Sequence, residues 1–357
     1  MTSGSITIED VAKAAGVSRQ TVSRVINRRP NVRPVVRERV EQAINELGYV
    51  PNLAARRMGG NRSYLVLAAL AQDSTGRSAG RLPLDEMLLA GMAACDPHGY
   101  HLLFVELKSN AADSEGDSGQ QLARTLTALK PDGVVLCPPL EDDQAVIKVL
   151  EQRRIAAAYL GERNEFGRVT PGLDDAALGD AAVRLLLEQG HRQIGFIAGL
   201  HDRARSERRL AGYRRALVAA GSRAHSHFAA ETPLKFGAAR ELAEAWLGPT
   251  IRPSAIIAET EEVALAVIEA ASASNVVIPR ELSLLALEDQ LGLARAKPDV
   301  SVIHQPYAEH FAQACKRLIE AQADTSENNA AGEHIASIGD DFIVIERGSL
   351  APAPRAV

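Results

Sequence analysis

The chain has 357 residues, 46% hydrophobic and 24% charged, enough for a large buried core and, at this length, about two to three domains; wholesale disorder is excluded. Its 3 cysteines, Cys95, Cys137 and Cys315, include no CxxC pair, which excludes a disulfide framework and a zinc ribbon. The net charge of -5 is unevenly spread: residues 1–62 hold 11 Lys and Arg against 5 Asp and Glu, and the remainder holds 29 against 40. A basic head on an acidic body suits a modular nucleic-acid binder, because phosphate neutralisation needs local positive charge. No apolar run reaches membrane-spanning length, and Met1 to Ile8 lacks the regions of an export signal. A cytoplasmic protein without a membrane partner is expected.

The first 50 residues predict three short helices. Ile8, Val11, Ala12 and Ala15 form one helical stripe behind Thr7 as N-cap, and Gly16 supplies the turn. A second helix starts at Ser18 with Val22, Val25 and Ile26 on one face and Arg19, Gln20, Ser23, Arg24 and Asn27 on the other. A third opens on Pro34, carries Val36, Val40, Ala43, Ile44 and Leu47, and stops at Gly48. Residues 52–58 read as a conditional helix with almost nothing apolar to bury, followed by the Gly59-Gly60 linker.

From Tyr64 the pattern alternates between strand and helix. Strands are expected near Tyr64 to Ala71, Tyr100 to Val105, Gly133 to Cys137, Ala156 to Leu160, Gln193 to Ala198, Ala255 to Ala258 and Leu282 to Leu287, with helices between them. Such alternation implies parallel sheets covered by helices, and this many residues suit two α/β lobes better than one sheet. The tail from Leu350, with Pro352 and Pro354, is expected to be loose.

A helix ending in Gly, a tight turn and a second helix with an Arg, Gln, Ser, Arg, Asn face constitute a helix-turn-helix pattern. Arg19, Gln20 and Arg24 suit base contacts, since arginine pairs with guanine and glutamine with adenine in the major groove. Thr7, Ser18, Thr21 and Asn27 suit phosphate contacts. His225 and His227 read as surface residues, the cysteines as buried apolar fillers, and no metal site or cofactor is expected. The phosphate-loop, nucleophile-elbow and zinc-protease motifs are absent from the sequence, so nothing argues for catalysis.

The run from Ile8 to Asn27, IEDVAKAAGVSRQTVSRVIN, resembles the lactose and galactose repressor (LacI/GalR) family, as does LGYVPN over Leu47 to Asn52. The likeness continues in GHR at 190–192, RLAG at 209–212 and Gln305-Pro306. It implies an all-α helix-turn-helix head over residues 1–50, a hinge helix and linker over 51–62, a two-lobed α/β domain of periplasmic-binding-protein-like type I fold over 63–348, and a flexible tail over 349–357. It also implies a homodimer on double-stranded DNA carrying an inverted repeat, tuned by a small sugar-like effector. Tyr49 and Asn52 would then touch the DNA backbone, and Ala55, Arg56 and Met58 would enter the minor groove, with methionine where the family usually has a leucine wedge.

By the same resemblance Arg209 is the effector-binding arginine, and Phe236 and Tyr307 stand where aromatics often face the ligand, core packing remaining open for both. Thr260 and Glu288 stand at altered positions, Glu288 still able to accept hydroxyl hydrogen bonds, and Asp73 is placed to reach the cleft from the first lobe beside Gln72 and Arg81. Release of a repressor by a sugar is the favoured reading. Activation by a corepressor, a solute-binding protein and a sugar-processing enzyme with a DNA-binding head are the alternatives.

Overall fold

The computed structural model describes residues 6–26, 31–49, 62–72, 82–108, 117–160, 174–199, 203–221, 228–232, 236–248, 252–323 and 342–354. Of the expected site residues, Asn27, Asn52, Ala55, Arg56, Met58 and Asp73 lie outside them, as do His225 and His227.

The head consists of α1 (Ile8–Ala15), α2 (Arg19–Ile26) and α3 (Pro34–Leu47). Thr7 caps α1 reciprocally: its hydroxyl accepts from the Asp10 amide, and its own amide donates to the Asp10 carboxylate at 2.8 Å. Gly16, at φ 62°, takes the left-handed turn that lets the chain reverse into α2, whose first turn is held by the Thr21 amide on Ser18 Oγ at 3.1 Å. Val11, Ala15, Val22, Val25, Val40 and Ala43 close a small common core. Arg33 precedes α3 without a side-chain cap, as arginine's lack of an acceptor requires.

Lobe one contains β1 (Leu65–Gln72), α4 (Leu84–Cys95), β2 (His101–Lys108), α5 (Asp117–Leu129), β3 (Gly133–Leu136), α6 (Gln144–Arg153) and β4 (Ala156–Tyr159). Its sheet has the order β2-β1-β3-β4 and is parallel throughout. Lobe two contains α7 (Asp175–Glu188), β5 (Ile194–Gly199), α8 (Arg203–Ala219), β6 (Ala229–Thr232), α9 (Phe236–Leu247), β7 (Ala255–Ala258), α10 (Glu261–Ala273), β8 (Ser283–Ala286), α11 (Leu291–Arg295) and β9 (Ser301–His304). The chain then forms α12 (Tyr307–Ala323) and β10 (Ile343–Ile345), the latter antiparallel at the edge of the sheet β10-β9-β8-β7-β5-β6.

Helix α12 leaves lobe two directly after β9 and packs into lobe one, where Phe311, Ala314, Cys315 and Leu318 share a core with Val66, Met87 and Val135. The segment Gln305-Pro306 is therefore a crossover between lobes. All three cysteines are buried and free, with Cys137 in the same core. The sequence pattern did not predict β6, β9 and β10; β6 and β9 lack the four successive apolar residues that mark β3, β4, β7 and β8.

The C-terminal segment corrects the expectation of a loose tail from residue 349. Ser349 is fully buried and donates to the Leu284 carbonyl at 2.6 Å, and the amides of Ala351 and Ala353 donate to Ser283 Oγ and the Gln189 carbonyl. Backbone groups decide the docking here, which composition cannot reveal.

His191 ties this segment to the sheet. Its Nδ1 meets Ser254 Oγ at 2.9 Å and its Nε2 meets the Ala351 carbonyl at 3.1 Å, so Nε2 carries the proton of the neutral ring. Burial holds its pKa below the ordinary 6.5. The unfolded chain then binds the proton more readily than the folded one, so stability falls as pH drops through that value. The denaturation midpoint should decline between about pH 7.5 and about pH 5.5, and less steeply in His191→Asn; equal slopes would contradict this coupling.

Candidate functional site

In the head, α2 presents Arg19, Gln20 and Arg24 to solvent while Val22 and Val25 face inward. The 3.6-residue period explains the split: the charged and amide side chains project from the face opposite the core. Arg19 rests against Glu9 of α1 at 3.1 Å, an exposed pair of small energetic value that a phosphate or base could displace. Thr7, Ser18 and Thr21 already serve as local caps, with Ser18 Oγ and Thr21 Oγ1 2.9 Å apart, and all three remain at least partly exposed. Tyr49 is half-buried against the head core.

The second site lies where loops at the carboxyl ends of the parallel strands approach one another. Arg209, on α8, is buried and donates through Nε to Asp175 Oδ1 at 2.8 Å and through Nη1 to Glu259 Oε1 at 3.1 Å. Arg205, one helical turn earlier, donates twice to Asp175, at 3.0 and 3.2 Å, and once to Tyr307 Oη at 2.6 Å. The other oxygen of Glu259 accepts from the Gly199 amide at 2.6 Å and from Ser206 Oγ at 2.8 Å.

The network crosses the lobe boundary. Arg208 reaches Asp142, which follows β3 in lobe one, at 3.2 Å, and Tyr307 begins α12, which packs in lobe one. Contacts between Arg205, Arg208 and lobe one therefore join the two lobes directly.

Electrostatics inside the network are set by burial and pairing. Burial opposes the Asp175 charge, but Arg205 and Arg209 outweigh it and hold this carboxyl far below the usual carboxylate range. Burial pushes the Glu259 carboxyl up, while Arg209, Ser206 and Gly199 pull the other way. Arg209 Nη1 on one oxygen and the Gly199 amide on the other are obligate donors, the surroundings of a carboxylate, while the Ser206 hydroxyl lies between Glu259 and the Gly199 carbonyl at 2.7 Å.

A cavity beside this network is lined by Glu86, Glu288, Asp289, Gln290, Gln305 and Tyr307. Asp289 is paired with Arg347 at 2.7 Å. Gln305 donates to the Leu287 carbonyl at 2.7 Å and meets Tyr307 Oη through its amide oxygen at 3.2 Å, which fixes the crossover segment as one wall.

Of the residues expected at the effector site, Arg209 and Tyr307 belong to the network, Glu288 lines the adjoining cavity, and Thr260 follows Glu259. Thr260 is buried and its hydroxyl caps α10 on the Val263 amide, so its oxygen is committed to the fold. Phe236 is 38% exposed at the start of α9 and does not take the core role left open for it. Sequence reasoning missed Asp142, Asp175, Arg205, Arg208 and Glu259. Glu259 carries the clearest signal, a carboxylate directly after the buried run AIIA, hence at the carboxyl end of a strand.

Among the described residues no group of three or more His, Cys, Asp and Glu could hold a metal ion, and no helix is long and apolar enough to cross a membrane.

Comparison with known proteins joins the two sites. Residues 7–52 match the model of bacterial regulatory proteins of the lacI family, and residues 183–349 match the periplasmic binding protein-like domain. The transcriptional regulator CelR of Thermobifida fusca is 31% identical over 84% of this chain and 87% of its own length. The ribose operon repressor of Escherichia coli K12 is 28% identical over 85% of this chain and 89% of its own length. A solved structure described as a CelR-cellobiose complex superposes with a TM-score of 0.65 at 26% identity, covering 96% of this chain and 99% of that one. With the helix-turn-helix head and the two-lobed α/β body in one polypeptide, the chain belongs to the LacI family and is a ligand-responsive, DNA-binding transcriptional regulator.

Proposed function

We propose that the protein is a homodimeric repressor of carbohydrate-utilisation genes, released from an inverted-repeat operator when a sugar or sugar derivative enters the interlobe cleft. The observation that carries the DNA half of this reading is the outward face of α2, with Arg19, Gln20 and Arg24 exposed over a packed core. Arg19 and Arg24 would read guanine and Gln20 adenine, with Thr7, Ser18, Thr21, Asn27, Tyr49 and Asn52 on the backbone and Ala55, Arg56 and Met58 in the minor groove. The apolar face of α4, where Leu88, Leu89 and Met92 are exposed, supports pairing with a second copy.

The effector half is supported by Arg209, Tyr307 and Glu288 around one cleft; Thr260, Phe236 and Asp73 would complete the effector contacts. The contacts of Arg205 and Arg208 across the lobes give a ligand something to rearrange, and a ligand acts by binding one lobe arrangement more tightly than the other. The solved CelR-cellobiose complex and the name of the ribose operon repressor favour a carbohydrate.

Arg24→Ala should lose about 1 to 3 kcal/mol on a selected operator and blur discrimination at one base pair. Equal loss on every duplex would remove its reading role. A thermal-shift screen with neutral sugars identifies the effector, because a ligand of the native fold must raise its apparent stability. Adding that effector should weaken operator binding; tightening would establish a corepressor instead.

A further inference from the structure

The cleft arginine of this chain is neutralised from within. Arg209 uses Nε on Asp175 and Nη1 on Glu259, and the Glu259 carboxylate is itself anchored by the Gly199 amide and Ser206 Oγ. Two buried carboxylates therefore occupy the positions at which an anionic ligand would be clamped. We propose that Glu259 is a specificity-determining counter-ion that bars anionic molecules from Arg209 and restricts the cleft to uncharged or amine-bearing polyhydroxy ligands.

This inference rests on the effector reading of the cleft and narrows it. A sugar acid or sugar phosphate approaching Arg209 would have to displace Glu259, leaving the Gly199 amide without its acceptor in a buried site, while the Ser206 hydroxyl keeps the Gly199 carbonyl at 2.7 Å. Repulsion adds to that cost. Arg205 is already committed to Asp175 and Tyr307, and Arg208 to Asp142 and Asp175, so the neighbouring guanidiniums bring their own carboxylates. The adjoining cavity adds Glu86, Glu288 and Asp289, of which Asp289 is paired with Arg347. A neutral polyol meets none of these penalties: its hydroxyls can donate to the carboxylates and accept from the amides of Gln290 and Gln305.

Acetate is the fragment that Glu259→Ala removes, which makes it the direct probe. In the full-length wild type, acetate and inorganic phosphate at matched ionic strength should give no saturable thermal shift beyond that of chloride. Glu259→Ala should bind acetate saturably, at least about tenfold more tightly than the wild type does, and Arg209→Met in that background should abolish the gain. Glu259→Ser, which also vacates the position and leaves only a small hydroxyl, should likewise bind acetate saturably and provides the test if the alanine variant does not fold. Saturable binding of acetate or phosphate to the wild type, lost in Arg209→Met, overturns the proposal, and so does failure of both Glu259 variants to gain anion binding. Selection of a specific duplex, measured on the same wild-type sample, separates the two levels. Lost duplex selection defeats the regulatory reading, whereas anion binding with duplex selection intact defeats this inference alone.

Discussion

Replacing Asp175 by alanine should lower folding stability by about 3 to 5 kcal/mol, a large share of the total for a domain of this kind. Asp175 is 2% exposed and is shared by Arg205 and Arg209, with Arg208 at 3.4 Å. Removing it takes a shared acceptor from two buried guanidiniums, of which Arg209 keeps Glu259, and a buried charge that loses its partner costs far more than the intact pair contributes. Asp175→Asn keeps hydrogen-bond acceptance and should lose less.

The same residue sets an acid limit. Its folded pKa lies below the ordinary 3.8, so its contribution is fully present above that value and is lost as pH falls through it toward the folded value. Denaturant titrations of wild type and both variants at about pH 7 and about pH 3 measure this: the gap between wild type and Asp175→Asn should narrow at the lower pH. A loss below about 1 kcal/mol for Asp175→Ala would mean that water enters and solvates the arginines, so that the network is not a closed one.

Gly179→Ala and Gly212→Ala should each cost about 3 kcal/mol or more, by a different mechanism. A Cβ on Gly179 would lie well inside contact with the Arg209 carbonyl oxygen, and one on Gly212 inside contact with the Ala176 carbonyl oxygen. Both obstacles are backbone atoms, so relief requires α7 and α8 to separate. These two helices carry Asp175 on one side and Arg205 and Arg209 on the other, so a shift that accommodates the methyl also lengthens the ion pairs. Gly237→Ala supplies the control, because its Cβ meets nothing within 4 Å and alanine favours the helix. Thermal melts that rank Gly237→Ala as harmless and the other two as severe support close helix packing beneath the site. Equal melts for all three would contradict it.

The head was legible almost residue by residue because its determinants are local: Thr7 and Asp10 lie three apart, Gly16 sits at the turn, and the apolar stripes follow one helical period. The two lobes were legible from alternation, since fully buried strands such as Leu65–Gln72 and Ile194–Gly199 are long apolar runs. Strands β6 and β9 escaped because AAET and SVIH lack the four successive apolar residues that mark the equally short β3, β4, β7 and β8, and the docked tail because its anchors are backbone amides and Ser349.

The charge network was illegible for a further reason. Arg209 meets Asp175 and Glu259 across 34 and 50 residues of chain, and no local pattern announces which acid will stand beside which base. Resemblance singled out Arg209 and Tyr307 of this network but none of its acids; only the fold reveals that the partners of Arg209 already occupy it.

The central claim is that a basic head recognises symmetric duplex DNA. Selection from a library of random duplexes by the full-length protein at moderate salt tests it most directly. The account predicts enrichment of an inverted repeat, lost for Arg24→Ala at one symmetric position in each half. Recovery of sequences no different from the input library would contradict it.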